Sequence, residues 1–259
     1  MKKLLMIPDR YHLEADVELA KKYSLGYEYN DFFNPSVLDN KNEQAEIVKG
    51  YRDTYLPQYS TLHGAFFDVI PFSLDEKIKE ISMLRIEQSI SAAQKLGASA
   101  VIFHTNYNPF LNSPSYINEW ISQNENIWSG ILDKHPDISV YLENMFDTTP
   151  DIMEELSSRL CRHQNYGVCL DYAHAALSKV APLWWAKRLG KYVKHVHIND
   201  NDLVSDLHLA WGDGKIDRHV FYEAYEQYMN GATVLVETSS YENKKRSLEM
   251  LVKEGFISV

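Results

Sequence analysis

Cysteine is scarce in this sequence: only Cys161 and Cys169 occur in 259 residues. Cys169 falls inside an apolar, strand-like run, so a reduced cytoplasmic protein is expected rather than a disulfide scaffold. Long apolar runs are missing as well. A bilayer span needs about 20 consecutive apolar residues, and no stretch approaches that; in MKKLLMIPDR the apolar run is broken at Pro8, Asp9 and Arg10, too early for a secretory signal. Basic residues are in deficit, 26 Lys and Arg against 36 Asp and Glu for a net charge of −10. That balance disfavours a broad polyanion-binding face, and nucleic acid with it, leaving only a local basic cleft open. Linkers rich in Gly, Ser or Pro are also lacking, so one domain over residues 1–259 is expected.

What is present is an alternation of short apolar runs with longer helical patterns. The runs are KLLMIP (3–8), LGYEYN (25–30), STLHGAF (60–66), SAVIFHT (99–105), ISVYLEN (138–144), YGVCLDY (166–172), VKHVHIN (193–199) and ATVLVET (232–238). Residues 73–97 read as a helix opened by a Ser73/Glu76 capping box and stopped at Gly97. Segments 113–134, 149–163 and 216–231 show the same periodicity, with Pro150 in the first helical position of the second. Val-, Ile- and aromatic-rich strands joined by helices imply a parallel sheet buried on both faces. Eight such units in this length predict a single (β/α)8 TIM barrel. An open doubly wound sheet is the alternative, because LGYEYN is only modestly apolar and residues 30–59 carry no clear helical period.

The strand ends carry the chemistry. His63, His104, Glu143, Asp171, His197 and Glu237 close the third to eighth strands, and in a TIM barrel those ends converge on one mouth. Any one of them reads ordinarily, as a hydrogen-bonded histidine or a helix cap. Six consecutive strands each ending in a nitrogen or carboxylate donor read as a metal site. His174, Asp206 and His208 add three donors, making a set suited to divalent ions of the Zn, Mn or Fe type. Period-two alternation puts His195, His197 and Asn199 on one strand face, with His195 one layer deeper in a supporting role. Asn199, Asp200 and Asp202 read as loop and capping residues.

In this order the motifs LHGAF, FHTN, LEN (142–144), LDYAH (170–174), HIND (197–200), DLHLAWGDGKID (206–217) and VET (236–238) resemble the xylose isomerase-like TIM barrels. That superfamily includes endonuclease IV and the sugar phosphate isomerases and epimerases. The resemblance to endonuclease IV implies three metal ions: one on His63, His104 and Glu143, one on Glu143, Asp171, His197 and Glu237, and one on His174, Asp206 and His208. The single-metal sugar enzymes imply the subset Glu143, Asp171, His197 and Glu237, with Glu143 and Glu237 doubling as the catalytic acid/base pair. The loops after His63, His104 and Glu143 share little with the DNA-reading segments of endonuclease IV.

The expected function is therefore a sugar or sugar-phosphate isomerase or epimerase holding one to three divalent ions, Zn or Mn before Fe or Co. The alternative is metal-dependent hydrolysis of a phosphoester; a catalytically silent binder would not need both glutamates. Phe66, Phe67, Tyr107, Trp211 and the pair Trp184 and Trp185 are candidates for a sugar-stacking wall, and Lys179 and Lys215 for steadying a phosphate. The expected partner is a small polyhydroxylated or phosphorylated substrate, with a homodimer possible and no membrane.

Overall fold

Strand and helix alternate along the chain in the computed structural model, which describes residues 2–66 and 68–258. The elements run β1 (Leu4–Met6), α1 (Leu13–Tyr23), β2 (Gly26–Tyr29), α2 (Pro35–Asp39), α3 (Lys41–Thr54), β3 (Ser60–His63), α4 (Glu76–Leu96), β4 (Ala100–His104), α5 (Pro114–Lys134) and β5 (Ser139–Glu143). They continue with α6 (Asp151–Leu160), β6 (Tyr166–Asp171), α7 (Tyr172–Leu177), α8 (Pro182–Leu189), β7 (Val193–Ile198), α9 (Arg218–Tyr228), β8 (Thr233–Val236) and α10 (Tyr241–Lys253). The strands pair in chain order, and β1 pairs parallel with β8, closing the barrel and excluding the open sheet.

Each boundary has a local cause. Residues 30–59 hold two helices rather than one blurred helix: the Asn34 side chain caps α2, and Asn40 both ends α2 and caps α3, so the apolar period restarts at Asn40. The expected capping box at Ser73 does not form. Asp75 is the cap of α4, accepting from Lys77 N, while Ser73 Oγ accepts from Asp75 N one step earlier. Gly97 stops α4 in the left-handed conformation at φ 73°. Pro150 stands just before α6 rather than in its first turn, a one-residue shift at a fraying end.

Alternation along the strands divides two environments. In β7, Val196 and Ile198 belong to the apolar layer under the helices, whereas His195 and His197 are equally buried but face side chains of other strands. TIM-barrel interiors are usually filled by branched aliphatics. Here Glu28, Thr61, His63, His104, Glu143, Asp171, His195 and His197 are all buried, so the C-terminal half of the barrel is polar. The seam between the first and last βα units is polar too. Lys244 Nζ of α10 donates to both oxygens of Asp16 on α1 at 2.6 and 2.7 Å and to Ile7 O at 3.1 Å. Among the described residues, no helix is long and apolar enough to cross a membrane.

Candidate metal centre

Glu143, the last residue of β5, has no exposed surface, and neither carboxylate oxygen has a hydrogen-bond partner. Its Oε2 lies 3.3 Å from Nε2 of both His63 and His104. Its Oε1 lies 3.3 Å from His197 Nδ1 and 3.7 Å from His174 Nδ1. Asp171 splits its duties: Oδ1 accepts from His174 N and so caps α7, while Oδ2 has no hydrogen-bond partner. Glu237 follows β8, with Oε1 3.6 Å from His197 Nδ1 and Oε2 accepting from Asn199 Nδ2 at 3.1 Å. Asp206 Oδ2 sits between His174 Nε2 at 3.3 Å and His208 Nε2 at 3.1 Å.

The structure thus brings all nine donors expected from the sequence to one mouth. Ligand atoms within 4.8 Å of one another form the groups His63, His104 and Glu143; Glu143, Asp171 and His197; and His174, Asp206 and His208. A fourth group, Cys169, His195 and His197, lies beneath them. Buried carboxylate oxygens without hydrogen-bond donors are costly unless a proton or cation faces them. Mixed nitrogen and oxygen donors are what a zinc- or manganese-type ion takes, so these residues fit such an ion.

Three of the histidines are held as ligands are held, with one ring nitrogen anchored on the backbone. Nδ1 donates to a backbone carbonyl in His63 (Gly64 O, 3.0 Å), His174 (Asn144 O, 2.9 Å) and His208 (Glu237 O, 3.2 Å). That leaves Nε2 of each directed at the site. The two glutamates differ in acidity. Burial pushes Glu143 upward, but the His197 and His104 imidazoles outweigh it and hold the carboxyl well below the ordinary range. Burial pushes Glu237 up to about 7, with Asp171 and Glu143 adding and His197 and His208 opposing.

Asp206 and His208 reach the mouth because of Asp200, which reads as an ordinary loop residue in the sequence. Asp200 is fully buried, accepts from Asn201 N, Gly212 N and Ile216 N, and pairs backbone to backbone with Leu209. The turn is tight: a Cβ on Gly214 would come within 2.3 Å of Asn201 O and Asp200 Oδ1. His208 itself sits at φ 47°, a conformation worth about 1–3 kcal/mol of strain in a non-glycine residue and typical of functional positions.

The stacking candidates separate clearly. Phe66 lies 5.1 Å, ring to ring, from His63, His104 and Phe33, which places its ring beside the donors. Phe67 lies outside the described residues. Trp211 is a correction: it is buried, packs on Phe221 and donates from Nε1 to Tyr222 Oη, which turns it toward the helix layer. Tyr107 is buried against Trp120 and Tyr116. Trp185 is buried with Nε1 on Ser178 Oγ, while Trp184 is exposed on α8 beside Lys187 and Arg188. Lys179 and Lys215 are exposed. The carboxylates of Glu143, Asp171, Asp206 and Glu237 meet only histidines among the described ion pairs.

One polar partner reads as a bland residue in the sequence, and another is not picked out there. Asn199, expected as a loop or capping residue, shares the His197 face and donates to Glu237. Glu28 of β2 meets both His195 and His197, and no spacing connects it to them. Another buried acid, Asp147, accepts from Thr105 Oγ1 and Met145 N through Oδ2, while Oδ1 is unpartnered. Burial pushes Asp147 up to about 6 from 3.8. The fold therefore favours the protonated acid: the contribution is full below the unfolded value and is lost as pH rises through about 6. Asp147→Asn is expected to raise stability at pH 7.5 by on the order of 3 kcal/mol and to change it little at pH 4. Urea unfolding at the two pH values checks this, and an equal effect at both would refute it.

Residues 17–255 match the family model described as xylose isomerase-like TIM barrel. An uncharacterized protein of Methanocaldococcus jannaschii, MJ1311, is 27% identical over 77% of this chain and 71% of its own. A probable endonuclease 4 of Mycobacterium leprae is 25% identical over 80% of this chain and 81% of its own. Among solved structures, the TTHB071 protein of Thermus thermophilus, soaked with ZnCl2, superposes with a TM-score of 0.80 at 19% identity, covering 100% of both chains. A D-tagatose 3-epimerase-like protein gives 0.75 at 22% identity over 98% of this chain and 96% of its own. At those identities the structural likeness is one of fold, while the family match spans nearly the whole chain and its strand-end donors. The chain belongs to the xylose isomerase-like TIM barrel family.

Proposed function

We propose that the protein is a divalent-metal-dependent isomerase or epimerase acting on a sugar or sugar derivative. The observation that carries this reading is that one nitrogen, His197 Nδ1, is faced by both glutamates, Glu143 Oε1 at 3.3 Å and Glu237 Oε1 at 3.6 Å, from β5 and the end of β8. A divalent ion bound there supplies Lewis acidity to adjacent substrate oxygens. Around it, one glutamate removes the proton α to the carbonyl and the other returns a proton, the division of labour general acid–base catalysis requires. Phe66 offers a ring face to the sugar beside His63 and His104. The fold shared with a D-tagatose 3-epimerase-like protein supports the same reading.

Zinc or manganese, in one to three equivalents, suits the donors best, with iron or cobalt the next choice. Their number bears on the substrate. With no Lys or Arg among the described partners of the four carboxylates, one divalent ion leaves negative charge in excess and suits a neutral polyol, whereas three overcompensate it and suit a phosphate. The group His174, Asp206 and His208 therefore favours the second reading, hydrolysis of a phosphoester, which the probable endonuclease 4 relative also supports.

The test is solvent exchange. In D2O with metal-loaded protein, deuterium is expected at one carbon of a responding sugar, and Glu237→Gln is expected to abolish incorporation while retaining substrate binding. No exchange across a broad sugar panel, with nicking of abasic-site DNA or turnover of a small phosphodiester instead, would replace this reading with the hydrolase.

A further inference from the structure

His197 is oriented differently from the three carbonyl-anchored histidines of the site. Those present Nε2 to the mouth, whereas His197 presents Nδ1. Among the described residues no backbone carbonyl accepts from its Nε2, and a side chain faces it instead. That side chain is Glu28 of β2. Its Oε1 lies 3.1 Å from His197 Nε2 and its Oε2 lies 3.0 Å from His195 Nε2, both in bent approaches. Thr61 Oγ1 donates to Glu28 Oε2 at 2.7 Å, and His195 Nδ1 meets Thr233 Oγ1 at 2.5 Å.

We infer that Glu28 is a positioning residue: it holds the proton of His197 on Nε2 and thereby keeps Nδ1 as a lone pair for the metal between Glu143 and Glu237. The inference rests on His197 being a metal ligand. It follows from donor and acceptor counting. Thr61 Oγ1 donates to Glu28, and the carboxylate, which can only accept, favours a proton on His197 Nε2, whereas His195 already gives its Nδ1–H to Thr233, whose hydroxyl donates to Lys194 O. Glutamine at this position offers one acceptor oxygen and two amide hydrogens, so it no longer requires the proton of His197 to sit on Nε2. The His197 ring is then free to change tautomer or turn. His195 is the less free of the two, because Thr233 holds its other nitrogen.

Long-range nitrogen-15 spectra of the imidazoles in metal-free protein, taken at a pH alkaline enough to make His197 neutral, with zinc affinity from chelator competition, decide it. The expected result is an Nε2–H tautomer for His197 in the wild type, altered in Glu28→Gln, with zinc binding at its group weakened about 10- to 100-fold. Thr61→Val, which removes a donor to Glu28 but neither imidazole contact, is expected to leave tautomer and affinity near wild type. An Nδ1–H tautomer in the wild type would overturn the inference, even if Glu28→Gln failed to fold, as would an unchanged affinity in a folded Glu28→Gln. Wild-type protein that binds no zinc would instead overturn the metal reading of His197, while the tautomer would still decide whether Glu28 holds the ring.

Discussion

Glu143→Gln is expected to remove zinc from two donor groups at once and to leave the third loaded. Each oxygen of Glu143 addresses a different set of rings, Oε2 toward His63 and His104 and Oε1 toward His197 and His174. The group His174, Asp206 and His208 does not use it. Loss of a direct, charged ligand costs more than the roughly 10- to 100-fold that a supporting residue is worth. Chelator competition should therefore show the equivalents served by Glu143 weakened by more than about 100-fold, with one class of site retained. Under the proposed chemistry, deuterium incorporation falls with them. Wild-type metal content in a folded Glu143→Gln protein would show that the buried oxygens face protons rather than metal, and would remove the site.

Lys244→Met should destabilise the barrel by about 3–5 kcal/mol, the cost of leaving a buried carboxylate without its counter-ion. Lys244 and Asp16 are fully buried, and Asp16 Oδ2 also accepts from Asp9 N at 2.6 Å. Their seam joins α10 to α1, where the ends of the chain close the ring. Lys244→Met combined with Asp16→Asn keeps an acceptor for Asp9 N and removes the stranded charge, so it should recover part of the loss. Because the pair lies apart from the donor groups, urea unfolding should show the same deficit with and without chelator. A loss below about 1 kcal/mol, the range of an exposed ion pair, or one that vanishes in chelator, would contradict this account.

Charge and spacing made much of this molecule legible. Each predicted apolar run contains a strand, from the six-residue runs at Tyr166–Asp171 and Val193–Ile198 to the short Leu4–Met6, because parallel strands buried on both faces need uninterrupted apolar or β-branched residues. The capping error at Ser73 arose because two nearby residues, Ser73 and Asp75, both cap well, and only the backbone path chooses between them. Aromatic identity proved a poor guide. Trp211 and Phe66 look equally suited to a sugar wall in the sequence, yet one is packed under α9 and the other stands against the donors. A ring does not encode which face it turns to.

The sequence by itself determined the (β/α)8 order and placed a nitrogen or carboxylate at the end of six consecutive strands, since both follow from local period and position along the chain. Only the tertiary structure decided how those donors divide into groups and what holds them. The anchoring carbonyls carry no side-chain signature, Asp200 acts through the loop it folds, and Glu28 lies 169 residues from His197 in the chain yet 3.1 Å from its ring. Strand closure creates that proximity, and no periodicity along one strand can express it.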